Sequence, residues 1–154
     1  MILTAVIFVT CSTLQVDVIS LDMCQALPFR PKANPIGVAI ERGIMFEISY
    51  GRALGDSSAL QLLLQNTALL VRMCGGRNII FTSNALEALQ LRGPQDIANL
   101  GVTMGISQEN ARKSVNGNIA GVMKRALTRR SIKGIMTAEI VPDDDDKEDD
   151  DKDE

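Results

Sequence analysis

Short β-branched apolar runs alternate along this chain with longer stretches of helical spacing, the pattern of a parallel sheet covered by helices. Residues 16–21 (VDVISL) read as a buried strand with Asp17 near its start. After Leu27-Pro28-Phe29 and a Pro/Lys/Asn loop, Asn34 is placed to cap a short helix with Pro35 at its first position, and Gly43 to stop it. Residues 44–50 (IMFEISY) follow as a second strand. Asp56 or Ser57 then caps a helix in which Leu60, Leu63, Leu64, Leu70, Val71 and Cys74 recur at helical spacing, ending at Gly75-Gly76. Residues 78–83 (NIIFTS) are the third strand, and the remainder is helical. Pro94 opens one helix, Ser107 caps a second, and a third follows Asn118. In that third helix Ile119, Val122, Met123, Ala126 and Leu127 form a complete i, i+3, i+4, i+7, i+8 stripe, which leaves Lys124, Arg125, Arg129 and Arg130 to the outer face or just beyond the helix end.

Three helix-covered strands are few for an independent parallel sheet, which is normally larger and buried on both faces. The pattern is that of half a (β/α) barrel. The apolar start, residues 1–11 (MILTAVIFVTC), lacks the basic n-region of a signal peptide and is about half the roughly 20 residues that a bilayer core requires. It reads instead as the end of a helix or strand whose predecessors are missing.

Composition narrows the chemistry. At 154 residues, with 45% hydrophobic and 23% charged positions, the chain suits one ordinary folded domain. Histidine is absent. That removes Ser-His-Asp and Cys-His pairs, imidazole-based zinc sites and the commonest general base near neutral pH. Cys11, Cys24 and Cys74 are odd in number and widely spaced, so neither a disulfide framework nor a zinc site is indicated. The net charge of −3 conceals a polarity: residues 142–154 (PDDDDKEDDDKDE) carry ten acidic and two basic residues, leaving 14 basic and 9 acidic elsewhere. A block of like charge this dense is expected to stay disordered, as a solvated tail or as an electrostatic mimic that covers a basic face until RNA arrives.

Two ordered motifs carry a family resemblance. Residues 39–50 (AIERGIMFEISY) and 91–101 (LRGPQDIANLG), with Leu27-Pro28-Phe29, Gly105-Ile106-Ser107 and the strands VDVISLD and RNIIFTS in order, resemble the thirty-kilodalton protein subunit family of ribonuclease P, shared with ribonuclease MRP in eukaryotes. The resemblance runs from about Phe8 to about Arg130. It implies an α/β fold, here an incomplete TIM-barrel-like, PHP-like βα fold with a helical C-terminal portion. Residues 1–131 are expected to form that barrel portion, and residues 132–154, from their charge, a flexible, disordered acidic tail. It implies no catalytic residues, no metal and no cofactor. The implied role is to help fold and position a catalytic RNA that removes the 5′ leader of precursor tRNA and, through MRP, processes rRNA. The implied partners are the ribonuclease P/MRP RNA, precursor tRNA through the complex and other protein subunits of the same enzyme, with no membrane; the location is nucleus and nucleolus. Family members carry about another half-barrel before the point corresponding to Met1, so the chain is expected to be a fragment, a short form or a truncated gene product. The aromatic usual at Gln95 is lost.

The candidate RNA-binding residues are Arg42, Arg92, Lys124, Arg125, Arg129 and Arg130. Arg42 sits at a helix end, where a cation also complements the dipole. Arg92 precedes Gly93-Pro94 at a helix start, whose free N–H groups favour phosphate. The cluster from Lys124 to Lys133 is the strongest phosphate candidate from charge alone, against a solvated helix face. Asp96 reads as a helix-start carboxylate, and Asp17 and Glu47 as members of a buried salt bridge or hydrogen bond. Gly75-Gly76-Arg77 is a helix stop, lacking the P-loop lysine. With aromatics at 3% and no tryptophan, phosphate-led binding with weak sequence preference is expected over stacking on rows of aromatics. A metal-dependent hydrolase would need oxygen-only ligands here, and the competing reading is a protein-interaction half-barrel fragment without RNA binding.

Overall fold

The computed structural model describes residues 9–28 and 31–130. Residues 1–8 of the apolar start, Phe29, and the tail at 132–154 with Lys133 lie outside the described residues.

Three parallel strands, β1 (Val18–Leu21), β2 (Met45–Ser49) and β3 (Ile79–Thr82), lie side by side in chain order. Their register places Ile19 beside Phe46 and Phe46 beside Ile79. Each strand is one or two residues shorter at its ends than the apolar pattern predicts. The side-chain period of two separates the faces. Along β2, Phe46 and Ile48 are buried while Met45, Glu47 and Ser49 are only half-buried. The first set joins Ile19, Ile79 and Phe81 in the main core; on the other face Ser20 is exposed, and the Ser49 and Thr82 hydroxyls share a hydrogen bond of 3.2 Å.

Helices fill the crossovers. α1 (Ala33–Glu41) connects β1 to β2 and buries Pro35, Ile36 and Ala39. It starts at Ala33, with Lys32 as N-cap and no side-chain cap, so Asn34 is not the cap and Pro35 is the third helical residue, not the first. Proline is accepted there because the first turn's N–H groups have no intrahelical partner to lose. Gly43 stops α1 as expected, at φ +71°. The backbone bonds from Gly43 N to Ile40 O and from Ile44 N to Ala39 O, both 2.8 Å, satisfy its last carbonyls. α2 (Ser57–Cys74) connects β2 to β3 and packs Leu63, Leu70 and Cys74 into the core. Its cap is Asp56, whose carboxylate accepts from Ser58 Oγ and from Ser58 N at 2.8 Å; these bonds, the hydroxyl's first, hold the exposed Asp56 carboxyl below its ordinary pKa. Left-handed Gly75 ends it.

After β3 come α3 (Pro94–Thr103), α4 (Gln108–Val115) and α5 (Gly117–Arg130). α3 opens on Pro94, and Ser107 caps α4 through Asn110 N at 3.4 Å. Gly101 of α3 lies close to the Phe81 ring, 3.1 Å from where a Cβ would sit, so a side chain there would need the ring to give by a few tenths of an ångström. α5 follows Asn116 and starts one residue before Asn118.

Candidate nucleic-acid interface

The sheet has two ends, and the candidate cations divide between them. At the amino end, α5 passes the starts of all three strands and is tied to each by a polar side chain. Asn118 Nδ2 donates to Ile79 O of β3 at 2.7 Å, both Arg125 guanidinium amines donate to Gly43 O ahead of β2 at 2.6 and 2.5 Å, and Arg129 forms an ion pair with Asp17 ahead of β1. Arg125 and Arg129 therefore face the protein. That corrects the expected arrangement, in which they lie on the outer face and the apolar stripe inside: Met123 and Leu127 are 62% and 65% exposed, and Ile119, Val122 and Ala126 are half-buried. The reason is what the helix meets. This end of the sheet presents the Ile79 and Gly43 carbonyl oxygens and the Asp17 carboxylate to α5, and these call for donors and not methyl groups.

Arg42 lies at the same end. Its guanidinium donates to Cys11 O at 2.7 Å and Leu14 O at 2.6 Å, tying α1 to the helical turn at residues 9–12. The dipole it complements is thus a neighbouring turn's as well as its own. Lys124 is exposed and has no ion pair among the described residues, while the side chain of Arg130 lies outside them. Of the two strand carboxylates, Asp17 is in a salt bridge, though one whose Arg129 side is half exposed and not buried as expected, and Glu47 has no ion pair among the described residues.

At the carboxyl end the loop between β3 and α3 carries Arg92. Its backbone N donates to the Tyr50 hydroxyl at 3.4 Å, and its guanidinium donates to Leu89 O at 3.0 Å and Leu91 O at 3.4 Å. The loop is braced by Gln90, whose side chain accepts from Leu86 N at 2.8 Å in a capping box with Glu87. The brace leaves Leu86, Leu89 and Leu91 exposed. Arg92 also stands one residue before Gly93, the N-cap of α3, which has no side-chain cap of its own. In α/β sheets, ligands characteristically gather at this end of the strands.

Sequence reasoning missed Arg52. It lies on the 3-10 turn Gly51–Leu54 directly after β2, 54% exposed, and pairs with Asp22 at 2.8 Å. The available signal was position, since Tyr50, Gly51 and Arg52 prolong an apolar strand past its carboxyl end. Gly51 fixes that turn: its N donates to Ser83 O at 2.8 Å, and a Cβ there would come 2.3 Å from the same oxygen. Gly51→Ala is therefore expected to cost roughly 1–3 kcal/mol through forced backbone displacement, measured by urea unfolding; an unchanged midpoint would mean that the turn adjusts freely.

The three cysteines, all buried, are not activated thiols. Burial pushes the thiols of Cys11, Cys24 and Cys74 above their ordinary pKa, against the lowering effect of Arg42 on Cys11 and of Arg52 on Cys24. Among the described residues no cluster of three or more Cys, Asp or Glu could hold a metal ion, and no helix is long and apolar enough to cross a membrane.

The family model of RNase P subunit p30 matches residues 3–131. The chain belongs to this family. It is 37% identical over 129 residues to the mouse "Ribonuclease P protein subunit p30", covering 84% of this chain and 48% of that protein. It is 41% identical over 121 residues to the "Probable ribonuclease P protein subunit 3" of Schizosaccharomyces pombe, covering 79% and 52%. It is 26% identical over 112 residues to the "Ribonuclease P/MRP protein subunit RPP1" of Saccharomyces cerevisiae, covering 73% and 38%. The chain thus spans about half or less of the length of these relatives, and the RNase P subunit p30 family match covers the residues of every strand and helix described above.

Proposed function

We propose that this chain serves as a non-catalytic protein component of the ribonuclease P and MRP ribonucleoproteins, helping to fold and position the RNA that removes 5′ leaders from precursor tRNA and, through MRP, processes rRNA. The observation that carries this reading is the family match along residues 3–131, supported by relatives named as subunits of these enzymes. The absence of histidine from the sequence agrees with catalysis residing in the RNA. The three strands in chain order are then consecutive strands of a TIM-barrel-like, PHP-like βα fold, with Arg92 and Arg52 on its carboxyl rim. The RNA subunit, precursor tRNA through the complex and other protein subunits are the partners, no cofactor is needed, and the location is nuclear and nucleolar.

Arg92 is the leading RNA contact, because its side chain is exposed at the start of α3 and its bonds to Leu89 O and Leu91 O both come from Nη1, which leaves its other donors toward solvent. Lys124 is the second. Arg42, Arg125 and Arg129 reach phosphate only through guanidinium donors left over from their bonds to the protein, and Arg130 completes the cluster on the sequence pattern. The competing protein-interaction reading, without RNA binding, is favoured by Leu86 and Leu89, which are 88% and 82% exposed.

Tagging the chain in its own cell and sequencing the RNA that co-purifies after stringent washing separates the two. Enrichment of ribonuclease P or MRP RNA is expected. Recovery of protein partners with neither RNA enriched would establish the second reading.

A further inference from the structure

The carboxyl end of the sheet contains an open cavity of about 180 Å³ lined by Tyr50, Leu54, Arg92, Asp96, Ile97 and Leu100. Its wall is of two kinds. Leu54, Ile97, Leu100 and the buried Tyr50 ring supply apolar surface, while Arg92 and Asp96 bring opposite charges to the same space. These two charges do not close on each other. The Arg92 guanidinium is turned to the carbonyls of Leu89 and Leu91, and the Asp96 carboxylate forms no hydrogen bond or ion pair among the described residues.

The size limits the occupant. At about 180 Å³ the cavity is smaller than the roughly 300–1,000 Å³ of ordinary small-molecule clefts. It suits one ring system and not a whole nucleotide. An apolar slot with a spare carboxylate at its mouth and a cation beside it matches a planar heterocycle that has two adjacent donors on one edge and is attached to a phosphodiester chain. Guanine has that edge, in N1–H and the exocyclic amine. Adenine and cytosine place one exocyclic donor beside an acceptor, and uracil has a single N–H between two acceptors.

We propose that this cavity takes one unstacked guanine of a single-stranded RNA segment. The apolar wall holds the ring, Asp96 accepts from its two adjacent donors, and Arg92 meets the flanking phosphate. This rests on the RNA-binding reading above and adds to it a base preference, where phosphate contact alone gives almost none. Asp96 acts as a hydrogen-bond acceptor and exchanges no proton.

The chain contains one tyrosine, Tyr50, and no tryptophan, so fluorotyrosine incorporation puts a single fluorine-19 signal in the cavity wall. The probes are oligouridines carrying one central guanosine, inosine, adenosine or cytidine, titrated into the full chain. The guanosine oligonucleotide is expected to bind about tenfold more tightly than the others and to shift the Tyr50 resonance. Inosine, which lacks the exocyclic amine, loses that advantage, and Asp96→Asn removes the difference between guanosine and adenosine. Arg92→Ala weakens all the oligonucleotides together. Equal affinity for every base, a guanosine preference that persists in Asp96→Asn, or guanosine binding without a Tyr50 shift would overturn the base pocket while leaving phosphate binding in place. A chain that binds none of them overturns both.

Discussion

Replacing Phe46 with alanine is expected to remove about 3–5 kcal/mol of folding stability, a large part of what a domain of this size possesses. Phe46 is 2% exposed at the middle of the central strand, between Ile19 and Ile79, and α1 and α2 cross over between those strands. Deleting its ring leaves a cavity that three strands pinned by parallel ladders cannot collapse to fill. Urea unfolding would show the midpoint falling at constant slope. Ser20→Ala, on the exposed face of β1, should stay within roughly 0.5 kcal/mol. Similar losses from both would mean that the two faces of the sheet are wrongly assigned.

Arg92→Ala carries the largest functional effect. RNA affinity is expected to fall on the order of tenfold through loss of charge-assisted hydrogen bonds to phosphate. The logarithmic salt dependence should flatten by about one unit for the contact removed. Stability should change little, because the guanidinium bonds to Leu89 O and Leu91 O that are lost are solvent-exposed, and the loop is still held by Gln90 and by the backbone N of residue 92 on Tyr50. Arg125→Ala is expected to behave oppositely. Its guanidinium caps Gly43 O, so its removal loosens α5 before it touches RNA affinity. Binding curves across a salt series, with thermal melts of the same variants, separate the two outcomes. A loss of RNA binding from Arg125→Ala without loss of stability would place the interface at the amino end of the sheet instead.

Local signals in the sequence carried most of the fold. Gly43, Asp56, Gly75, Pro94 and Ser107 mark helix boundaries through groups that act within a few residues, and short β-branched apolar runs locate all three strands. The failures share a cause. Asn34 looked like a cap, yet nothing local decides between it and a start two residues earlier when the first-turn N–H groups need no intrahelical partner. The orientation of α5 was misread because periodicity assumes that a helix packs on apolar side chains. This one meets the end of a sheet, where Gly43 O and Asp17 wait, 82 and 112 residues away from Arg125 and Arg129 in sequence. Partners that distant leave no trace in spacing. The candidate site was half legible: Arg92 stood out through Gly93-Pro94, whereas the cavity it shares with Tyr50, Leu54 and Asp96 depends on the approach of a strand end, a 3-10 turn and α3.

Photo-crosslinking of the tagged chain in its native particle, followed by mapping of the crosslinked peptides and sequencing of the attached RNA, tests the central claim most directly. Ribonuclease P or MRP RNA is expected on the peptide spanning residues 84–100, which holds Arg92 and Asp96, with loss of that crosslink in Arg92→Ala particles that still assemble. A chain recovered in the particle with crosslinks to protein alone would contradict it.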